Sequence, residues 1–152
     1  MAKPVCLILG AGAGIGGNVA RRFARAGYHA VLARRSDQEG LDRLVGEIAA
    51  EGGAATGFIV NAVLEDSIER LIETVETGIG PIEVAVFNLG AQIGSRSLAN
   101  TSHKAFEVGW RMATFGLFRL AQALFPHMER RGKGALLVTS ATAAMRDRKS
   151  VV

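Results

Sequence analysis

Glycines that alternate with other small residues near the start of the chain form its most chemically informative pattern. The alternating positions are Gly10, Gly12, Gly14 and Gly16. They follow an apolar run of strand length, residues 5–9, and a helical pattern begins near Ile15. Glycine lets a backbone approach a ligand where a side chain would clash, and the free N–H groups at a helix start suit a pyrophosphate. The pattern therefore predicts a phosphate-binding loop that includes Ile15, with an ordinary glycine-rich turn as the alternative.

Two adjacent arginines, Arg34 and Arg35, follow the second apolar run of the chain, residues 29–33. In proteins that bind NAD, an acidic residue at this place holds the ribose 2′-hydroxyl. Guanidinium groups suit a 2′-phosphate instead, because they bind phosphate oxygens with two parallel hydrogen bonds. The pair therefore favours NADP(H) over NAD(H), with the alternative that one arginine only faces solvent. Asp37 is interpreted as a helix cap rather than as a ribose ligand.

The elements that must hold these residues alternate between strands and helices. The predicted strands cover residues 5–9, 29–33, 56–60, 83–87 and 135–139. Helical patterns lie between them, which favours an α/β fold with a parallel sheet covered by helices on both faces. Right-handed crossovers and a switch point after the third strand give a Rossmann-like, doubly wound sheet of order 3-2-1-4-5. A ligand would then lie across the carboxyl ends of strands 1, 2 and 4.

Apolar spacing predicts which face of each helix is buried. In the first helix, over residues 15–26, the predicted stripe is Ile15, Val19, Phe23 and Ala26. A capping box formed by Ser36 and Glu39 predicts the start of the second helix. The last helix is predicted from about residue 104 to 131, and its apolar positions begin with Phe106 and Trp110.

Composition limits the class of protein. The chain has 152 residues, 49% of them apolar, which is enough for one domain with a core. Its formal net charge of +4 is spread along the chain, without the dense basic face that nucleic-acid binding needs. Cys6 is the only cysteine, and its place inside the first apolar run indicates a buried structural thiol. With no recognisable signal peptide or membrane-spanning run, we expect a cytoplasmic protein without a nucleic-acid or membrane partner.

Four segments of the chain resemble the N-terminal part of the short-chain dehydrogenase/reductase family. They are the Gly10-x-x-x-Gly14-x-Gly16 loop, Asn88-Leu89-Gly90, Gly116-Leu117-Phe118 and the strand that ends at Ser140. The resemblance implies a nicotinamide cofactor and hydride transfer to or from a small carbonyl or alcohol substrate. It also implies that Asn88 and Gly90 lie at the cofactor, and that Asn61 stands where the family often has an aspartate near adenine. The intact protein is expected to be a homo-oligomer.

The family's catalytic residues have no clear counterpart in the chain. Ala113 stands at the place of the family's helix asparagine, and either Ser140 or Ala141 stands at its serine. The Tyr-x-x-x-Lys motif is absent, and the one tyrosine, Tyr28, precedes the second strand. Because the chemistry needs an acid within hydrogen-bond reach of the substrate oxygen, we expect no catalytic residue here, and no metal site. The alternative function is a non-catalytic dinucleotide-binding or interaction module.

The end of the chain departs from the family pattern. Residues 147–152 show no apolar periodicity, and they can be encoded by GAT CGG AAG AGC GTC GTG, the body of a common sequencing adapter. We therefore expect a truncated dinucleotide-binding Rossmann domain over residues 1–146, with its sheet incomplete at the C-terminal side, followed by a non-native tail. The alternative is a natural basic tail that is solvated and disordered.

Overall fold

A parallel five-stranded sheet forms the centre of the protein. The computed structural model describes residues 2–90 and 97–141. The strands are β1 (Val5–Leu9), β2 (His29–Arg34), β3 (Ala54–Ile59), β4 (Ile82–Phe87) and β5 (Ala135–Val138). Their order across the sheet is β3-β2-β1-β4-β5, and the neighbouring strands pair in parallel. The predicted Rossmann-like, doubly wound fold and its strand order are therefore confirmed.

Helices cover both faces of this sheet. They are α1 (Ile15–Arg25), α2 (Gln38–Ala50), α3 (Ser67–Gly78), α4 (His103–Trp110) and α5 (Gly116–Arg131). Residues of α1 and α2 pack on the face that carries Ile8 and Leu32, and residues of α3 and α5 pack on the face that carries Leu7 and Val31. Successive strand residues point to opposite faces, and helices cover both faces. The central strands are therefore apolar and buried on both sides. β1 is buried along its whole length and carries the glycine loop at its carboxyl end.

The helix predicted over residues 104–131 is interrupted near its middle. A π-helical turn, Arg111–Phe115, separates α4 from α5. The extra residue in such a turn rotates the following helix relative to the preceding one, so the two halves do not share one apolar stripe. In α5 the stripe is buried, whereas Phe106 and Trp110 in the first half are exposed. Ala113, at the place of the family's helix asparagine, lies within the π turn.

One local prediction is confirmed in part and another is wrong. Val19 and Phe23 of the predicted α1 stripe are half-buried against the core, whereas Ile15 and Ala26 are exposed. The fully buried residues of α1 are Gly16, Gly17, Ala20 and Ala24. Small residues occupy this face because the glycine loop packs directly against it. The second helix is capped by Asp37, whose Oδ1 accepts a hydrogen bond from the Gly40 amide at 2.9 Å, and not by Ser36. The interpretation of Asp37 as a helix cap is thereby confirmed.

The environment of Cys6 agrees with a structural role. Its side chain is fully buried in β1, and burial raises the pKa of the thiol to about 12. No helix within the described residues is both long enough and apolar enough to cross a membrane. The proposed tail, residues 147–152, lies outside the described residues, so its non-native origin stays a prediction.

Candidate dinucleotide-binding site

Two glycines of the predicted loop are required by the way the loop packs. Gly10 follows β1 with a φ of 93°, a conformation that side chains disfavour. A Cβ at this position would lie 2.5 Å from the carbonyl oxygen of Asn88. A Cβ at Gly16 would collide with the carbonyl oxygen of Gly10 and would lie 2.9 Å from the Ala11 Cα. These two glycines therefore let the loop, β4 and the start of α1 touch one another.

The other two alternating glycines face open space. A Cβ at Gly12 or Gly14 would have no heavy atom of the described residues within 4 Å. The backbone amides of residues 13–16 make no hydrogen bond to another described residue. In addition, α1 has no side-chain cap and no acidic residue in its first turn, so the positive end of its dipole is uncompensated. This open cradle fits an anionic group such as a pyrophosphate.

A cleft of about 200 Å³ connects the glycine loop with the end of β2. Ala13 of the loop and Arg34 of β2 both line it, together with residues of α1 and α2. The Arg34 guanidinium is half-buried, and its Nη2 lies 3.0 Å from Oδ2 of Asp37. Arg21, which pairs with Glu47, lines the same cleft. The cleft therefore brings guanidinium groups and Ala13 of the glycine loop to one lining.

Three other predicted site residues lie near this edge of the sheet with different surroundings. Arg35 is exposed directly after β2. Gly90 is exposed after β4, and a Cβ added there would have no heavy atom of the described residues within 4 Å. Asn61 lies two residues beyond β3 and is half-buried. Its Oδ1 already accepts a hydrogen bond from the Val63 amide at 3.2 Å. One lone pair of that oxygen is thus used within the loop.

Asn88 holds the glycine loop in place. Its Nδ2 donates to the Gly10 carbonyl at 2.9 Å, and its Oδ1 accepts from the Thr139 hydroxyl at 2.8 Å. Its backbone amide donates to the Leu9 carbonyl at 2.8 Å. Both ends of the side-chain amide are therefore occupied inside the protein. In the structure Asn88 supports the cradle rather than presenting a free polar group to it.

Within the described residues, the positions where the family carries catalytic groups offer few side chains that could transfer a proton. Ala113 has no polar side chain, and Ser140 is exposed after β5. Tyr28 precedes β2 at the amino edge of the sheet and packs edge-on against Phe23, with ring centroids 5.3 Å apart. It therefore lies at the edge opposite the cradle. No cluster of metal-binding side chains occurs within the described residues.

Three arginines near the site, Arg21, Arg43 and Arg119, were not predicted from the sequence as site residues. Arg43 of α2 lines the cleft beside Arg34 and makes no ion pair with another described residue. Arg119 of α5 is buried against the loop that follows β3. A charge inside an otherwise apolar helical stripe was the available signal for Arg119. For Arg43 no local signal exists, since surface helices commonly carry arginine.

The strand order of the sheet and the glycine loop between β1 and α1 together define a Rossmann-like fold. A family model described as short chain dehydrogenase matches residues 4–152. The chain belongs to this family, as its glycine spacing and the Asn88 segment predicted.

Two curated relatives illustrate the similarity. Dehydrogenase/reductase SDR family member 4 of Oryctolagus cuniculus is 28% identical over 144 residues, which cover 95% of this chain and 55% of the relative. The fatty acyl-CoA reductase of Acinetobacter baylyi is 30% identical over 147 residues, covering 93% of this chain and 48% of that protein. The chain thus spans about half the length of the curated relatives it matches.

Solved structures show the same similarity at the level of the fold. A 7α-hydroxysteroid dehydrogenase in complex with NADH and 7-oxo glycochenodeoxycholic acid superposes with a TM-score of 0.87 at 28% identity, covering 95% of this chain and 56% of that one. An actinorhodin polyketide ketoreductase with NADPH gives a TM-score of 0.88 at 27% identity, covering 98% and 58%. Since one neighbour holds NADH and the other NADPH, the fold alone does not select between the two cofactors.

Proposed function

We propose that this chain is the dinucleotide-binding part of an NADP(H)-dependent oxidoreductase that transfers hydride between nicotinamide and a small carbonyl or alcohol. One observation carries the proposal. The open cradle at Gly12 and Gly14 adjoins, through Ala13, a cleft that Arg34 lines. This adjacency supports the proposal, because the adenosine half of NADP(H) carries the pyrophosphate at one end and the 2′-phosphate near the other.

Each predicted site residue has a role in this proposal. The amides of Gly14, Ile15 and Gly16 bind the pyrophosphate, because they are free donors at a helix start. Gly12 leaves the space beside them open. Gly10 permits the close approach of Asn88, which fixes the loop. Arg34 and Arg35 bind the 2′-phosphate, and Asn61 accepts a hydrogen bond from adenine. Gly90 leaves the backbone open at the carboxyl end of β4, beside the nicotinamide half.

Hydride chemistry is supplied by the nicotinamide when it is bound, whereas the proton requires a separate acid. Of the candidate positions, Ala113 cannot donate a proton and Tyr28 lies at the opposite edge of the sheet. Ser140 is placed at the correct edge, but an unassisted hydroxyl is a poor acid at neutral pH. We therefore expect these 152 residues to bind the cofactor without turning over an alcohol or a carbonyl.

Calorimetric titration of the chain with NADPH and NADH tests the cofactor assignment. We expect NADPH to bind more tightly, and Arg34→Ala and Arg35→Ala each to weaken NADPH by about tenfold while NADH changes by less than about twofold. Arg25→Ala is the matched control, since Arg25 pairs with Glu51 on the solvent side of α1. Tighter binding of NADH overturns the preference for NADP(H), and absence of binding to both overturns the proposal.

A second candidate function is a non-catalytic dinucleotide-binding or interaction module. The alanine at position 113 and the remote Tyr28 favour it. The nucleotide sequence that follows codon 146 in the source gene discriminates between the two functions. A reading frame that continues to Tyr-x-x-x-Lys supports the oxidoreductase, and its product should oxidise NADPH with a panel of ketones or aldehydes. A natural stop codon supports the binding module.

A further inference from the structure

Arg119 of α5 is a buried charged residue, with 7% of its surface exposed. A buried guanidinium is stable only when partners accept its N–H groups. Nε and Nη2 donate to the Glu69 carboxylate at 2.8 and 2.5 Å. Nη1 donates to the backbone carbonyls of Ala62 at 2.9 Å and Leu64 at 3.1 Å. These contacts hold the group in a single position.

The two carbonyls belong to the loop that joins β3 to α3, residues 60–66. At its start the Val60 amide donates to the Arg34 carbonyl at 2.8 Å, which ties the loop to the end of β2. Within the loop, the Leu64 amide donates to the Asn61 carbonyl at 3.0 Å. Arg119 adds the tie to α5 on the other side. The loop around Asn61 is therefore fixed at one side by its hydrogen bond to β2. At the other side it is fixed by the Ala62 and Leu64 carbonyls, which accept hydrogen bonds from Arg119.

We infer that Arg119 is a positioning residue for the adenine end of the dinucleotide site. The inference rests on the proposed function, in which Asn61 lies beside adenine. Arg119 acts through the Ala62 and Leu64 carbonyls and does not itself reach the cofactor. Without it the loop must be ordered at the moment of binding, and the entropy lost in that ordering reduces affinity for ligands that contain adenine.

The same helix offers a matched control. Arg131 donates from Nη1 and Nη2 to the Glu76 carboxylate of α3 at 2.7 and 3.0 Å, and from Nη2 to the Ile82 carbonyl at 2.7 Å. Ile82 begins β4, so this pair lies at the amino edge of the sheet, away from the cradle. Both arginines join α5 to α3, but only Arg119 contacts the β3–α3 loop. A merely structural role predicts the same consequences for replacement of either one.

The experiment compares Arg119→Met with Arg131→Met. Each variant and the wild-type chain are titrated with NADPH and with adenosine 2′,5′-bisphosphate, and their melting temperatures are measured. We expect Arg119→Met to raise the Kd of both ligands by the same factor, about tenfold, because the defect lies in the adenine half. Arg131→Met should lower the melting temperature while both Kd values stay within about twofold.

A second variant covers the case in which Arg119→Met does not fold. Arg119→Lys keeps the charge beside Glu69 but cannot hold both loop carbonyls, so it should show the selective loss of affinity and faster amide exchange at residues 62–64. Unchanged affinity in a folded Arg119 variant, or equal losses in the Arg119 and Arg131 variants, overturns the inference alone. If the wild-type chain binds neither ligand, the proposed function is overturned and the positioning role with it.

Discussion

The side-chain amide of Asn88 donates a hydrogen bond of 2.9 Å to the carbonyl of Gly10, across 78 positions of the sequence. The same side chain accepts from the Thr139 hydroxyl at 2.8 Å. One asparagine therefore connects the glycine loop after β1 with the end of β4 and the segment after β5. Asn88 thus stabilises the glycine loop through contacts within the protein, and the space beside Gly12 and Gly14 stays open.

Asn88→Ala should lower the free energy of unfolding by about 1–3 kcal/mol, because it removes two side-chain hydrogen bonds, to the Gly10 carbonyl and to the Thr139 hydroxyl. Thr139→Val removes only the second hydrogen bond and should cost less. A double-mutant cycle measured by urea unfolding should give a coupling energy of about 0.5 kcal/mol or more between the two residues. If the losses of stability caused by the two substitutions simply add, the hydrogen bond between Asn88 and Thr139 contributes nothing measurable. That result would contradict this account of Asn88.

Gly10→Ala should be far more destabilising than Gly27→Ala. Both residues have a positive φ, 93° and 92°, so both variants bear the strain of a side chain in that conformation. A Cβ at Gly27 would meet no heavy atom of the described residues within 4 Å, whereas one at Gly10 would meet the Asn88 carbonyl. Thermal or urea unfolding should show a loss of about 1–2 kcal/mol for Gly27→Ala and about 3 kcal/mol or more for Gly10→Ala. Similar losses would mean that the loop relaxes around the added methyl group.

Gly12→Ala should separate binding from folding. Its added Cβ would lie in open space, so the stability of the chain should change by no more than about 0.5 kcal/mol. If a pyrophosphate occupies that space, the methyl group should raise the Kd for NADPH by about tenfold or more. Calorimetry combined with a melting curve checks both parts. Wild-type affinity in this variant would place the phosphates elsewhere.

The pairing of Glu69 with Arg119 should make stability depend on acid pH. Hydrogen bonds from Arg119 hold the pKa of Glu69 below its usual value of 4.5, although burial opposes them. The unfolded chain therefore binds the proton more readily, and the contribution of this pair is present above about pH 4.5 and is lost as pH falls through the lowered pKa.

Urea unfolding of Glu69→Gln across this acid range measures the effect. The variant should be less stable than wild type at pH 7, and the difference should narrow as the pH falls below about 4.5. Glu73→Gln is the control, because Glu73 lies on the same helix but makes no ion pair with another described residue. A constant difference for Glu69→Gln across the whole range would show that Glu69 does not titrate as expected.

Exposed aromatic side chains on α4, the π turn and α5 should make the isolated chain self-associate. Trp110 stacks on Phe115 with centroids 5.3 Å apart, and Phe115 stacks on Phe118 at 6.2 Å. Phe118 is 56% exposed and Phe125 49% exposed, and contiguous exposed apolar surface of this kind promotes association. Light scattering should show that Phe118→Ser with Phe125→Ser lowers the apparent mass. Ile15→Ser, on the opposite face of the sheet, should not. A monomeric wild-type chain would contradict the prediction.

The strand order and the loop glycines were predictable because they depend on local spacing. Apolar runs alternate with helical patterns, and parallel strands joined by right-handed crossovers leave few possible orders. The spacing of the glycines likewise indicates where the loop backbone must lack side chains. The fully buried residues of α1 were not predictable in this way. Ordinary apolar periodicity selects large residues such as Ile15, but the packed loop required small ones, Gly16 and Ala20 among them.

Charged and polar residues at the site were decided by the tertiary structure. The sequence by itself placed Arg34 and Asn88 at the carboxyl ends of their strands, since each follows an apolar run. It did not show that Asn88 binds Gly10 rather than facing a ligand. Nor did it show that Arg119 is buried, since its partners Glu69 and Ala62 lie 50 and 57 positions away. A hydrogen bond between distant segments leaves no period in the sequence, because only packing of the sheet and helices brings its two ends together.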